Sequence, residues 1–175
     1  MKIDKNRNII LIGYMGSGKS TVGKKAAKAL EYDFLDTDAL IEEEEGMSIS
    51  KLFEEKGEPY FREKETETIQ RLIAEPKGKM IATGGGLVMT EGNAELLREL
   101  GTVVYLKAEP DTLFERLAGE NSGRPLLQNG DLKEKIDTML AIRGPVYEKT
   151  ADVIIETDHR SFYEIICQIE NLFKV

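Results

Sequence analysis

A chain of 175 residues is long enough for one compact domain, burying about 70% of its unfolded surface, and 32 acidic against 24 basic side chains leave it a net charge of -8. That balance excludes a broad nucleic-acid footprint, so a bound anion must be held by a local field. A single cysteine, Cys167, excludes an internal disulfide, the single histidine, His159, leaves no Cys/His zinc cluster, and no apolar run reaches the length of a membrane span. With a polar start and no apolar segment behind it, the chain is expected to be cytoplasmic, with neither membrane nor nucleic acid as a partner.

The first predicted strand is Ile9-Ile10-Leu11-Ile12, apolar without alternation, as suits a strand buried on both faces of a parallel sheet. Gly13 ends it, and Gly13-Tyr14-Met15-Gly16-Ser17-Gly18-Lys19-Ser20 fits the spacing G-x-x-x-x-G-K-[ST] ahead of a helix predicted over 21–30. Glycines let such a loop wrap with its backbone N–H groups on one anion, and the helix adds its positive end. Gly16, Ser17, Gly18, Lys19, Ser20 and Thr21 are therefore candidate nucleotide contacts. Lys19 is placed to meet the β- and γ-phosphates and Ser20 to hold Mg²⁺, so ATP and Mg²⁺ are the predicted cofactors.

A second strand is expected over 32–36, leaving Asp36 and Asp38 two residues apart at its exit, the edge of an α/β sheet where ligands sit. One carboxylate could hold Mg²⁺ and the other accept a proton from a substrate hydroxyl. On local sequence Asp38 suits a helix cap as well as it suits catalysis. The acidic run 42–45 reads as a solvated helix end, Ser48 as the cap of a short helix, and 60–74 as a longer helix with Ile69, Leu72 and Ile73 on its apolar side. By pattern alone Arg62, on that helix, is a surface arginine paired with neighbouring glutamates.

A third strand over 80–82 runs into Gly84-Gly85-Gly86, where three glycines at the ligand edge suggest close approach of a substrate to the backbone. Helix is predicted over 91–100, a fourth strand over 102–106, and a helix from Pro110 to about 118. The glycine-flanked segment that follows, with Arg124 at its middle, has the build of a lid over 119–131; a solvated Arg124 in a passive loop fits it as well. Helix over 132–150 should be kinked or split at Gly144-Pro145. The fifth strand is expected over 153–155, and a last helix over 162–173 burying Phe162, Ile165, Ile166, Ile169 and Leu172. Cys167 reads as a packing or surface residue and His159 as a solvated loop residue.

Strands alternating with helices predict an α/β fold with five parallel strands. The ordered set GYMGSGKST, FLDTD, PYFRE, TGGG, RPLL and an Arg shortly before a Tyr resembles the shikimate kinase family over nearly the whole chain. The resemblance implies a P-loop kinase-like three-layer sandwich in one domain, 1–175, with substrate-binding helices at about 38–75 and a lid at about 119–131. It implies transfer of the ATP γ-phosphate to the 3-hydroxyl of shikimate, and a monomer is expected. It places Mg²⁺ with Ser20 and Asp36, substrate hydroxyls with Asp38, and the shikimate carboxylate between Arg62 and Arg143. Gly84, Gly85 and Gly86 would touch substrate, Arg124 the phosphates, and Arg116 and the turn at Arg160 the adenine side. Lys19, Asp38 and Arg124 would carry the catalysis. A gluconate or nucleoside-monophosphate kinase is the alternative within this fold, and a nucleotide-binding regulatory module the alternative outside enzymes.

Overall fold

The structure, a computed structural model, describes residues 5–120 and 129–174. Five strands, β1 (Ile9–Ile12), β2 (Asp33–Asp36), β3 (Lys79–Ala82), β4 (Thr102–Lys107) and β5 (Val153–Glu156), form one sheet in the order β2-β3-β1-β4-β5. All pairings are parallel: Ile10 lies opposite Ile81 on one side and Val103 on the other, and Tyr105 opposite Ile154. Parallel neighbours need crossovers, and the helices that supply them cover both faces, giving three layers.

Alternate residues of the central strands feed two cores. Ile10, Ile12, Ile81, Val103 and Tyr105 pack with residues of α4 (Glu58–Ala74), α5 (Asn93–Leu100), α6 (Pro110–Glu120) and α7 (Asn129–Thr150). Ile9, Leu11, Met80, Val104 and Leu106 face the other way, onto α1 (Lys19–Leu30) and α8 (Phe162–Phe173). A third, smaller cluster of Ile41, Leu52 and Phe61 joins α2 (Thr37–Glu45) and α3 (Ile49–Lys56) to the start of α4.

Several expectations are corrected. Helix α1 begins at Lys19 rather than at 21, because Gly18 in the left-handed region turns the chain straight into it. Asp36, not Asp38, caps α2: its carboxylate accepts from the Asp38 and Ala39 N–H groups, which draws the helix start back to Thr37. Helix α4 starts at Glu58 rather than at 60, with Pro59 in its first turn, where its missing N–H costs nothing. A short 3-10 helix (Leu87–Met89) follows the glycines, and α5 starts at Asn93.

Helix α7 runs unbroken past Gly144 and Pro145. Proline removes one backbone bond, and the fully buried Ile136 and Tyr147 anchor the helix on either side of it. In α8, Ile165 and Ile169 are buried as expected, whereas Phe162 and Leu172 are 40% and 47% exposed, at the two ends where the helix overhangs its core. Of the expected lid, Gly119 and Glu120 belong to the end of α6, and Asn129, Gly130 and Asp131 to the first turn of α7. Residues 121–128, with Arg124, lie outside the described residues.

Candidate active site

The strand C-termini open onto a cavity of about 520 Å³, lined on one side by Gly16, Gly18, Lys19, Ser20 and Thr21 and on the other by Asp36, Asp38, Gly84, Gly85 and Arg143. Gly16 and Gly18, at φ 86° and 92°, hold the left-handed conformations that let the loop curl around an anion. Lys19 is folded onto the loop, its Nζ donating to the Gly13 and Tyr14 carbonyls at 2.7 and 3.0 Å. Burial pushes its ammonium down to about 8, against the upward pull of Asp38 and Asp36. A phosphate would restore the charge that burial weakens. Ser17 is turned inward and fully buried, its hydroxyl without a hydrogen-bond partner.

Two oxygen donors stand together behind the loop. The Ser20 hydroxyl donates to Asp36 Oδ2 at 2.9 Å, while Asp36 Oδ1 is committed to the cap of α2. A hydroxyl beside a carboxylate suits Mg²⁺, a hard cation that completes its shell with water and substrate oxygens. Among the described residues no cluster of three His, Cys, Asp or Glu side chains could form an all-protein metal cage. The fit is thus to a metal held jointly with a phosphorylated ligand.

The glycine triplet is the floor of the second half of the site. A Cβ on Gly84 would stand 2.6 Å from Asp38 Oδ1, one on Gly85 3.3 Å from an Arg143 nitrogen, and one on Gly86 2.5 Å from an Arg62 nitrogen. One acid and two arginines therefore lie over three consecutive residues, and any side chain there would displace them. Thr37 Oγ1 accepts from the Gly84 N–H and the Tyr147 hydroxyl donates to the Gly85 carbonyl, so the loop is pinned to α2 and α7.

Arg143 is in no ion pair among the described residues and rests over the Tyr14 ring, its Cζ 5.9 Å from the centroid. Arg62 and Gly86 lie just beyond the cavity lining. The Arg62 guanidinium is held by Glu58 at 3.0 Å and Glu65 at 2.6 Å and packs over Phe61. Both readings of Arg62 have their counterpart: it pairs with helix glutamates, and it faces the site.

Asp38 is half-buried, with Oδ1 enclosed and without a hydrogen-bond partner. Burial, then the charge of Asp36, raises its carboxyl to about 6, with Lys19 opposing. An acid so placed is nearly all ionised at neutral pH yet basic enough to accept a proton.

At the outer end of the cavity Arg116 spans from the Gly16 carbonyl to Thr157. Arg160 is not in the lining, since its guanidinium donates to Gln168 Oε1 at 2.6 Å along α8. Phe162 occupies that side instead, its ring 3.3 Å from the Cβ position of Gly18. Sequence reasoning missed two residues here. Phe162 fell on an apolar stripe and was read as core, although its place directly after the Ser161 cap puts it at the ligand edge. Glu65 was one carboxylate in a charged run, although its position three residues after Arg62 places both on one helix face.

The shikimate kinase family profile matches residues 15–173. Shikimate kinase of Alkaliphilus oremlandii is 42% identical over 164 residues, covering 93% of this chain and 96% of that protein. That of Neisseria gonorrhoeae is 46% identical over 152 residues, covering 87% and 88%. The solved structure of Acinetobacter baumannii shikimate kinase in complex with shikimate superposes with a TM-score of 0.84 at 37% identity, covering 95% of this chain and 92% of that one. The family profile runs from within the P-loop through the acid pair and the glycine triplet, the relatives and the superposition cover most of the chain, and the chain belongs to the shikimate kinase family.

Proposed function

We propose that this chain transfers the γ-phosphoryl group of ATP to the 3-hydroxyl of shikimate, yielding shikimate 3-phosphate and ADP, with the residues around the glycine triplet as the acceptor site. The observation that carries the assignment is the floor of three glycines beneath Asp38, Arg143 and Arg62, next to the P-loop. A polyhydroxylated ring acid needs one acid for its hydroxyls and planar cations for its carboxylate, which arginine meets in two parallel bonds.

In this reading the P-loop N–H groups and Lys19 bind the triphosphate, and Ser20 and Asp36 hold Mg²⁺, which neutralises phosphate charge when bound. Arg116 and Phe162 flank the nucleoside end. Arg62 and Arg143 take the carboxylate and so orient the ring toward the P-loop. Asp38 accepts the proton of the attacking hydroxyl as its oxygen bonds to phosphorus and the bond to the departing ADP oxygen breaks. Arg124 acts as a lid residue on the phosphates by family resemblance alone. Residues 1–175 act as one domain, a reading supported by two cores built on one sheet, and as a monomer in the cytoplasm; among the described residues no helix is long and apolar enough to cross a membrane.

Measuring ADP release with shikimate, quinate, gluconate and nucleoside monophosphates side by side tests the reading. Shikimate should exceed every other acceptor in kcat/KM, and preference for a nucleotide or a sugar acid would reject it.

A further inference from the structure

Glu65 stands apart from every other carboxylate among the described residues. Its side chain is fully buried, Oε1 accepts from Arg62 Nη1 at 2.6 Å, and Oε2 is enclosed with no hydrogen-bond partner. That free oxygen points over Gly84: a Cβ there would be 3.1 Å from Glu65 Oε2 and 2.6 Å from Asp38 Oδ1, the second buried orphan of the site. Both orphan acceptors thus lie against the same point of the glycine loop, and neither has a donor. A proton on Oε2 would supply the missing donor.

The charges facing Glu65 are Arg62 on its own helix, Asp38 on α2 and Arg143 on α7. Gly84, the residue of the glycine loop against it, brings none. Burial pushes the Glu65 carboxyl up to about 7; Arg62, by hydrogen bond and charge, is the main influence holding it down, Asp38 adds to the rise, and Arg143 pulls weakly downward. Ionised Glu65 therefore depends on Arg62. A carboxylate arriving on Arg62 brings a second negative charge to the same guanidinium and closes the site over Glu65, and both changes favour the neutral acid.

We propose that Glu65, whose carboxylate holds the Arg62 guanidinium, takes up a proton when shikimate binds and so becomes a donor toward Asp38. The proton comes from solvent, and no bond other than O–H is made. This inference rests on the reading above that Arg62 receives the shikimate carboxylate.

By linkage, binding that takes up a proton weakens as pH rises. Shikimate Kd, measured without nucleotide, should rise roughly fivefold between pH 7 and 8.5 for an uptake averaging about half a proton. The experiment is calorimetric titration of shikimate into wild type, Glu65→Gln and Arg62→Lys, at pH 7.5 in phosphate and in Tris, whose ionisation enthalpies differ. Wild type should take up a fraction of a proton, and Glu65→Gln, which keeps the acceptor for Arg62 but cannot titrate, should take up none and bind with a pH-independent Kd. A purely structural role would leave proton uptake at zero in both. Zero uptake by wild type, or equal uptake by Glu65→Gln, overturns the proposal.

Arg62→Lys separates the two levels. Unchanged shikimate affinity in that variant defeats the assignment of Arg62 and this inference with it, whereas weakened affinity together with zero wild-type uptake defeats this inference alone. Should Glu65→Gln fail to fold, infrared difference spectra of wild type labelled with 13C-glutamate decide instead. A protonated carboxyl band gained on shikimate addition supports the proposal, and its absence overturns it.

Discussion

Asp38 shows how a single side chain is held in a state useful for chemistry and costly for folding. Its carboxyl is raised to about 6 from an ordinary value of 3.8, so the folded protein binds that proton more tightly than the unfolded chain does. The stability this contributes is fully present below 3.8 and is lost as pH rises through about 6. Asp38→Asn removes the ionised form and should raise Tm at pH 7 but not at pH 4, while lowering kcat by about 100-fold or more. Thermal scans at both pH values with a steady-state assay check this, and an equal Tm change at the two would show that the carboxylate is not strained. Gly86 offers the complementary case. Its backbone is not left-handed, so Gly86→Ala adds no backbone strain, but the new methyl would lie on the Arg62 guanidinium, the movable end of a long side chain. Tm should change little and shikimate Kd rise about tenfold, the loss of roughly 1.5 kcal/mol expected for a charge-assisted contact. Titration with shikimate and with ATP tests it, since ATP affinity should stay as in wild type.

At the scale of elements, what could be read from the sequence was whatever depends on local pattern. The strands stood out because parallel strands buried on both faces are unbroken apolar runs, and Ile9–Ile12 is wholly buried. The P-loop stood out because its spacing carries its mechanism, and Ser48 caps α3 as its chemistry suggests. What escaped is set by tertiary contacts: the burial of Glu65 within a charged helix, the exposure of Phe162 at the end of an apolar stripe, and the continuity of α7 through Pro145. Glycines inside helices divide in the same way, since local pattern does not show which of them a neighbour packs against. A Cβ on Gly23 of α1 would stand 2.7 Å from the Phe34 ring and 3.2 Å from Leu11, whereas one on Gly144 of α7 would meet nothing within 4 Å apart from its chain neighbours, of which Pro145 is one. Gly23→Ala should therefore destabilise by about 1–3 kcal/mol through overpacking against the sheet. Gly144→Ala should be close to neutral, because the helix propensity gained is offset by the crowding of the new Cβ against the Cδ of Pro145. Equal losses in the two denaturation curves would contradict the packing described for α1.

Considered as a whole, the molecule hangs its acceptor site on its smallest core. Ile41, Leu52 and Phe61 are the buried members of the cluster that holds α2 and α3, and α4 links that cluster to the main core through Ile69 and Leu72 further along the helix. Burying three such side chains is worth on the order of 5–9 kcal/mol before the entropy of ordering two helices is subtracted, which leaves little net stability. The α2–α3 unit should therefore open locally at a free energy well below that of global unfolding. Asp38 lies on this unit and Arg62 just beyond it on α4, both over the glycine loop that follows β3. An acceptor bound between them would tie the unit to the sheet, while a nucleotide on the P-loop addresses β1 and α1, which already sit in a large core. Hydrogen exchange read by mass spectrometry should show shikimate slowing exchange across 39–56, and an ATP analogue alone slowing the P-loop and the start of α1 instead. Protection spread evenly over the chain by either ligand would mean that α2 and α3 are no looser than the rest, and that the small core is more strongly coupled to the sheet than its three buried side chains allow.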